Sequence, residues 1–135
     1  MREIKFRAWD QKEEKWLLGC EYPNLGGFSM FGEMMIIGEY ASLLSSYFPD
    51  RLKDIVLMQY TGLKDKNGVE IYEGDIISHK VYRDWKSKDV VFFNELLGKY
   101  ELAHCGDENK NKDILIYLSE SEIIGNIYQN PELLK

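Results

Sequence analysis

Met58-Gln-Tyr-Thr-Gly-Leu-Lys-Asp-Lys-Asn-Gly-Val-Glu-Ile-Tyr-Glu-Gly-Asp-Ile-Ile77 reads as a strand, a turn, a short strand, a glycine corner and a third strand. Asn67-Gly68 lies between apolar segments. Both residue types tolerate positive φ, which a two-residue type I′ turn needs; Asp65 and Lys66 leading into it also suit a longer loop. Beyond the turn, Val69, Ile71 and Glu73 alternate with Glu70 and Tyr72, the period of a strand. Gly74 breaks that alternation. Asp75 follows, and Ile76-Ile77 open a β-branched run. A Gly-Asp pair there suits a sharp corner, Gly supplying the backbone angle and Asp bonding local amides. Asn67, Gly68, Gly74 and Asp75 are therefore read as structural turn residues.

Working toward the N-terminus, Ile55, Leu57 and Gln59 lead into this stretch in extended form. Tyr40, Leu43, Leu44, Tyr47 and Phe48 recur at helical spacing, and Pro49 ends that helix. From Glu21 to Gly38, glycines and methionines predict an irregular segment, adaptable enough for a subunit contact. At the start, Ile4, Phe6 and Ala8 alternate with Lys5, Arg7 and Trp9. An N-terminal hairpin is expected, Ile4–Trp9 against Trp16–Cys20, with Trp9 and Trp16 as a cross-strand aromatic pair.

Toward the C-terminus, strands are predicted over Ile76–Tyr82, Asp89–Phe93, Lys99–His104, Ile114–Leu118 and Ile123–Tyr128. Asn94–Gly98 is a turn. Cys105–Asp113 reads as a polar loop, and Ser119–Glu122 as a turn. Asn130-Pro131 opens a terminal helical turn, with Asn as cap and Pro at the first position. The sum is a mainly β domain: a small SH3-like barrel or curled antiparallel sheet, with an N-terminal hairpin and one or two short helices. Residues 1–135 are expected to be one domain, in which 1–57 pack on a β core of 58–135.

Three blocks resemble the YopX family of phage and prophage proteins. They are Met1-Arg-Glu-Ile-Lys-Phe-Arg-Ala-Trp-Asp10 at the start, the central pieces Met58-Gln-Tyr-Thr-Gly-Leu63, Asp65-Lys-Asn-Gly68 and Ile71-Tyr-Glu-Gly-Asp-Ile76, and Gly125-Asn-Ile-Tyr-Gln-Asn-Pro-Glu-Leu-Leu134 at the close. The resemblance spans nearly the whole chain and is weakest over Leu18–Leu57 and His79–Ser121. It implies a small β-rich protein of mobile genetic elements, oligomeric in character. It brings no catalytic residues.

Composition limits the rest. Seventeen Lys and Arg against twenty-three Asp and Glu give a net charge of −6 over 135 residues. That argues against a protein whose main task is coating nucleic acid or anionic lipid. No targeting or membrane-spanning run is visible, so a cytoplasmic protein of the host cell is expected. Cys20 and Cys105 are read as reduced thiols rather than a disulfide. His79, His104 and Cys105 lack the recurring spacing of a zinc site. Carboxylates such as Glu120 and Glu122 lie in expected turns and read as solvated. No metal, cofactor or catalytic residue is assigned, and an enzyme is not expected.

One segment stands out chemically. His79-Lys-Val-Tyr-Arg-Asp-Trp-Lys-Ser-Lys88 is basic and aromatic. Lys80, Tyr82, Arg83, Trp85, Lys86 and Lys88 are the candidate nucleic-acid contacts, by phosphate pairing and base stacking. The plainer reading is a charged connection between strands, further diluted by Asp89. The expected function is a non-enzymatic accessory protein acting through protein–protein contacts, as a homo-oligomer. The alternative is a small-barrel nucleic-acid binder using residues 79–88.

Overall fold

The computed structural model describes residues 3–16, 53–105 and 107–134. The Gly- and Met-rich segment, the helix expected over Tyr40–Phe48 and Cys20 lie outside them. The chain divides into two compact units, Met1–Tyr60 and Thr61–Lys135.

In the first unit, β1 (Phe6–Asp10) pairs antiparallel with β2 (Lys15–Trp16) and with the first part of β3 (Ile55–Lys64). Trp9 sits opposite Trp16, ring centroids 4.8 Å apart in an edge-to-face arrangement. That geometry opposes the positive rim of one ring to the negative face of the other. The Arg7 guanidinium lies over the Trp16 ring at 4.4 Å. Asp10 makes the turn: its buried Oδ1 accepts the N–H groups of Lys12 and Glu13 at 2.9 and 3.0 Å.

In the second unit, β3 runs on to Lys64 and a loop leads to β4 (Glu70–Tyr72). Gly68 has φ +79°, while among described residues only Glu14 and Arg83 adopt positive φ without being glycine. Asn67 therefore does not, and the connection is the longer loop rather than a type I′ turn. Asp65 organises it. Its Oδ1 accepts from Asn67 N and Val69 N at 2.8 and 3.0 Å, and its own N–H donates to the Val69 carbonyl. Val69 thus falls in the loop and is exposed, whereas Ile71 is fully buried. At the corner, Gly74 has φ +81°, and Asp75 Oδ2 accepts from Tyr72 N at 2.8 Å.

The remaining strands are β5 (Asp75–Tyr82), β6 (Trp85–Asn94), β7 (Lys99–His104), β8 (Asp107–Asp113) and β9 (Glu122–Asn126). They form a curled antiparallel sheet, a half-barrel, ordered β8-β7-β6-β5-β9. Ile71, Ile77, Val91 and Leu102 make its core, covered by Ile114 of the short helix α1 (Ile114–Tyr117). The chain is mainly β, as the sequence predicts.

Two segments differ from expectation. Cys105–Asp113 is not a loop: from Asp107 it is β8, the edge strand paired with β7. A polar sequence is tolerated there because an edge strand has a neighbour on one side only. Ile114–Leu118 is not a strand. It begins helical because Asp113 Oδ1 caps it, accepting from Leu115 N at 3.0 Å. A 3-10 turn, Leu118–Glu120, follows. The terminal turn after Asn130 is present as the 3-10 segment Pro131–Leu134.

Candidate functional site

The basic, aromatic segment is a hairpin. β5 and β6 are joined by only Arg83 and Asp84, so no long charged loop separates them. Lys80 stands directly opposite Lys86, and Tyr82 opposite Trp85, with a register shift between Lys80 and Tyr82. Arg83 takes φ +50° at the turn. Lys80, Val81, Arg83, Trp85 and Lys86 are exposed, Trp85 by 66%. Lys88 is drawn away: its Nζ donates to the Leu133 carbonyl at 2.7 Å, tying β6 to the terminal 3-10 segment.

Alternation along the two strands decides the charge of this surface. Ile77, His79, Ser87 and Asp89 are paired across the hairpin and buried. Ser78, Lys80, Lys86 and Lys88 occupy the alternate positions. Asp89 is therefore turned into the sheet and does not dilute the lysines. Lys80 and Lys86 make no ion pair among the described residues. Like charges directly opposite on an antiparallel pair repel, so this arrangement leaves two uncompensated ammonium groups side by side.

Next to them is a hollow of about 280 Å³. Lys80, Lys86 and Ser78 come from the hairpin, Lys66 from the Asp65 loop, and Glu120 and Glu122 from the chain entering β9. Lys66 and Glu122 are paired at 3.5 Å. Lys66 and the two glutamates carried no mark of this in the sequence. The lysine sits in a turn and the glutamates read as solvated. Only the β5–β9 pairing, with Ser78 opposite Glu122, brings them to the lysines.

On the inner face lies a polar cluster centred on Asp89, which is fully buried. Its Oδ2 is 3.0 Å from His79 Nδ1, and its Oδ1 is 3.2 Å from both His104 Nδ1 and Lys112 Nζ. Ser87 Oγ lies 3.1 Å from that same His104 nitrogen. A serine nucleophile with a histidine base uses the two different ring nitrogens, one for the serine and one for the carboxylate. Here serine and carboxylate share one, and Ser87 is buried, so the group is not a charge-relay triad. The His79 ring stacks on Tyr117 at 4.2 Å. Burial holds the His79 imidazole below its ordinary value. Asp89 opposes that, and Lys112 and His104 reinforce it.

Cys105 follows His104 at the end of β7. Burial pushes its thiol up, Asp89 adds to this and Lys88 opposes it. A thiol shifted that way is the reverse of an activated nucleophile, which needs a lowered value. Among the described residues, no three ligand-type side chains gather to hold a metal ion. None of the described helices is long and apolar enough to cross a membrane.

The whole chain is similar to protein EF1440 from Enterococcus faecalis, known from a crystal structure. The identity is 26%, each chain is covered in full, and the TM-score is 0.61. No curated protein matches. The family profile described as YopX protein matches residues 5–135. With that span, the chain belongs to the YopX family.

Proposed function

We propose that this YopX-family chain is a non-enzymatic accessory protein of a phage or prophage, acting in the host cytoplasm through protein contacts, first of all with further copies of itself. The observation that carries the reading is at the β6–β7 turn. Leu96 is 96% exposed and Leu97 61% exposed. The turn is nonetheless held firmly: Asn94 Oδ1 accepts from Leu96 N and Leu97 N, and Gly98 N donates to the Asn94 carbonyl. Two leucines fixed outward, with Phe93 exposed beside them, favour burial against another surface. Light scattering at micromolar concentration tests this. The expected result is an oligomer that Leu96→Ser with Leu97→Ser shifts toward monomer. A wild-type protein that is strictly monomeric speaks against it.

A second reading, single-stranded nucleic-acid binding, is favoured by the β5–β6 hairpin. Lys80 and Lys86 lack counter-ions, and Trp85 offers an exposed indole for base stacking. Fluorescence anisotropy with labelled oligonucleotides across a salt series tests it. Binding should weaken steeply with salt and with Trp85→Ala. No binding near physiological ionic strength removes it.

A further inference from the structure

We infer that the hollow beside Lys80 and Lys86 is a binding site for a small phosphomonoester carrying hydroxyl groups, with a nucleoside monophosphate as the ligand class. This is independent of the leucine turn.

Three observations converge on it. Lys80 and Lys86 stand opposite one another and neither makes an ion pair among the described residues, a repulsion that an anion would relieve. Ser78 and Ser119 also line the hollow, and neither hydroxyl is in a hydrogen bond among the described residues. Two ammonium groups and two hydroxyls are the donors that a phosphate's oxygens take up. Glu120 is on the same wall and likewise makes no ion pair or hydrogen bond among the described residues. A free carboxylate next to a phosphate site is suited to accept from sugar hydroxyls, as acidic residues do in dinucleotide sites.

His79 also borders the hollow, but its side chain is fully buried on the other face of β5 and stacks on Tyr117, so it is not offered to a ligand. At about 280 Å³ the space lies at the small end of ligand pockets. That selects a mononucleotide or sugar phosphate over a dinucleotide cofactor.

Isothermal titration calorimetry of the full chain with AMP tests the site, with adenosine and inorganic phosphate as separate titrants. The expected result is saturable AMP binding, weaker binding of phosphate, and none of adenosine. Lys80→Gln and Lys86→Gln change exposed side chains, so the fold, checked by circular dichroism, is retained. Each should weaken AMP and phosphate about tenfold, the usual loss for one charge-assisted hydrogen bond. Glu120→Gln should weaken AMP while leaving phosphate unchanged. Ser119 and Glu120 lie outside the hairpin, so they separate this site from strand binding by Trp85. Absence of saturable AMP binding overturns the proposal. So does AMP binding that survives Lys80→Gln with Lys86→Gln, or oligonucleotide binding alone that ignores Ser119→Ala and Glu120→Gln.

Discussion

Asp65 Oδ2 accepts the backbone N–H of Ile123 at 3.1 Å, fastening the loop after β3 to the strand that closes the far edge of the sheet. The same carboxylate holds its own loop through Asn67 and Val69. One buried side chain thus satisfies three backbone donors. Asp65→Ala leaves them without it, and a buried donor without an acceptor costs about 1–3 kcal/mol. Urea unfolding should show a loss of at least about 2 kcal/mol. Asp65→Asn, which keeps one acceptor oxygen, should recover part. Equal stability of Asp65→Ala and wild type would show that water replaces these bonds.

Stability should fall on mild acidification because of His79. Its ordinary value is 6.5, and burial in the fold lowers it against the pull of Asp89 and Glu120, with Lys112 and His104 adding to the lowering. Well above 6.5 the imidazole is neutral in both states. As pH drops below 6.5, the unfolded chain binds the proton first, so the unfolded state gains. The slope from this group is at most about 1.4 kcal/mol per pH unit. Chemical denaturation at pH 7.5, 6.5 and 5.5 should show the decline, and His79→Phe should flatten it. An unchanged slope in His79→Phe would place the titration elsewhere.

Gly125 in β9 is crowded by two side chains of the terminal segment. A Cβ there would lie 2.7 Å from Asn130 Oδ1 and from Leu133 Cδ1, and 3.0 Å from Asn130 Cβ. Gly125→Ala should destabilise by about 1 kcal/mol, the low end of overpacking, because the obstructing atoms are side-chain ends that can shift. Trimming the obstruction tests the cause. Leu133→Ala combined with Gly125→Ala should lose less than the two single changes together. Strict additivity would assign the loss to the strand backbone instead.

Cys105 should react slowly with thiol reagents. Its thiol is partly buried and held protonated, and thiolate is the reacting form. In a Cys20→Ser background, alkylation at pH 7.5 should run markedly slower in the folded protein than in urea. Equal rates would mean that the end of β7 opens readily.

The sequence was most legible where backbone geometry dictates residue type. Gly74-Asp75 suits a corner and is one, and the pairing expected of Trp9 and Trp16 across a short polar turn is present. It was least legible where partners are distant. β8 is polar because only β7 neighbours it, so composition alone resembles a loop. Ile114–Tyr117 is β-branched and aromatic, and the capping Asp113 was outweighed by that propensity. Asp89 counted as one more surface charge until the β5–β6 register turned it inward beside His79. The hollow joins residues from the Asp65 loop, the hairpin and the approach to β9, which nothing local in the chain connects.

The pairing of β5 with β9 has a consequence for biosynthesis. β5 ends at Tyr82, but its second neighbour, β9, is made by Glu122–Asn126, which leave the ribosome well after β5 has. Throughout that interval a nascent chain displays an open row of amides and carbonyls along an isoleucine-rich strand. Two chains growing close together on one messenger can therefore lend each other β9, and exchange of that strand is the misassembly this topology most invites.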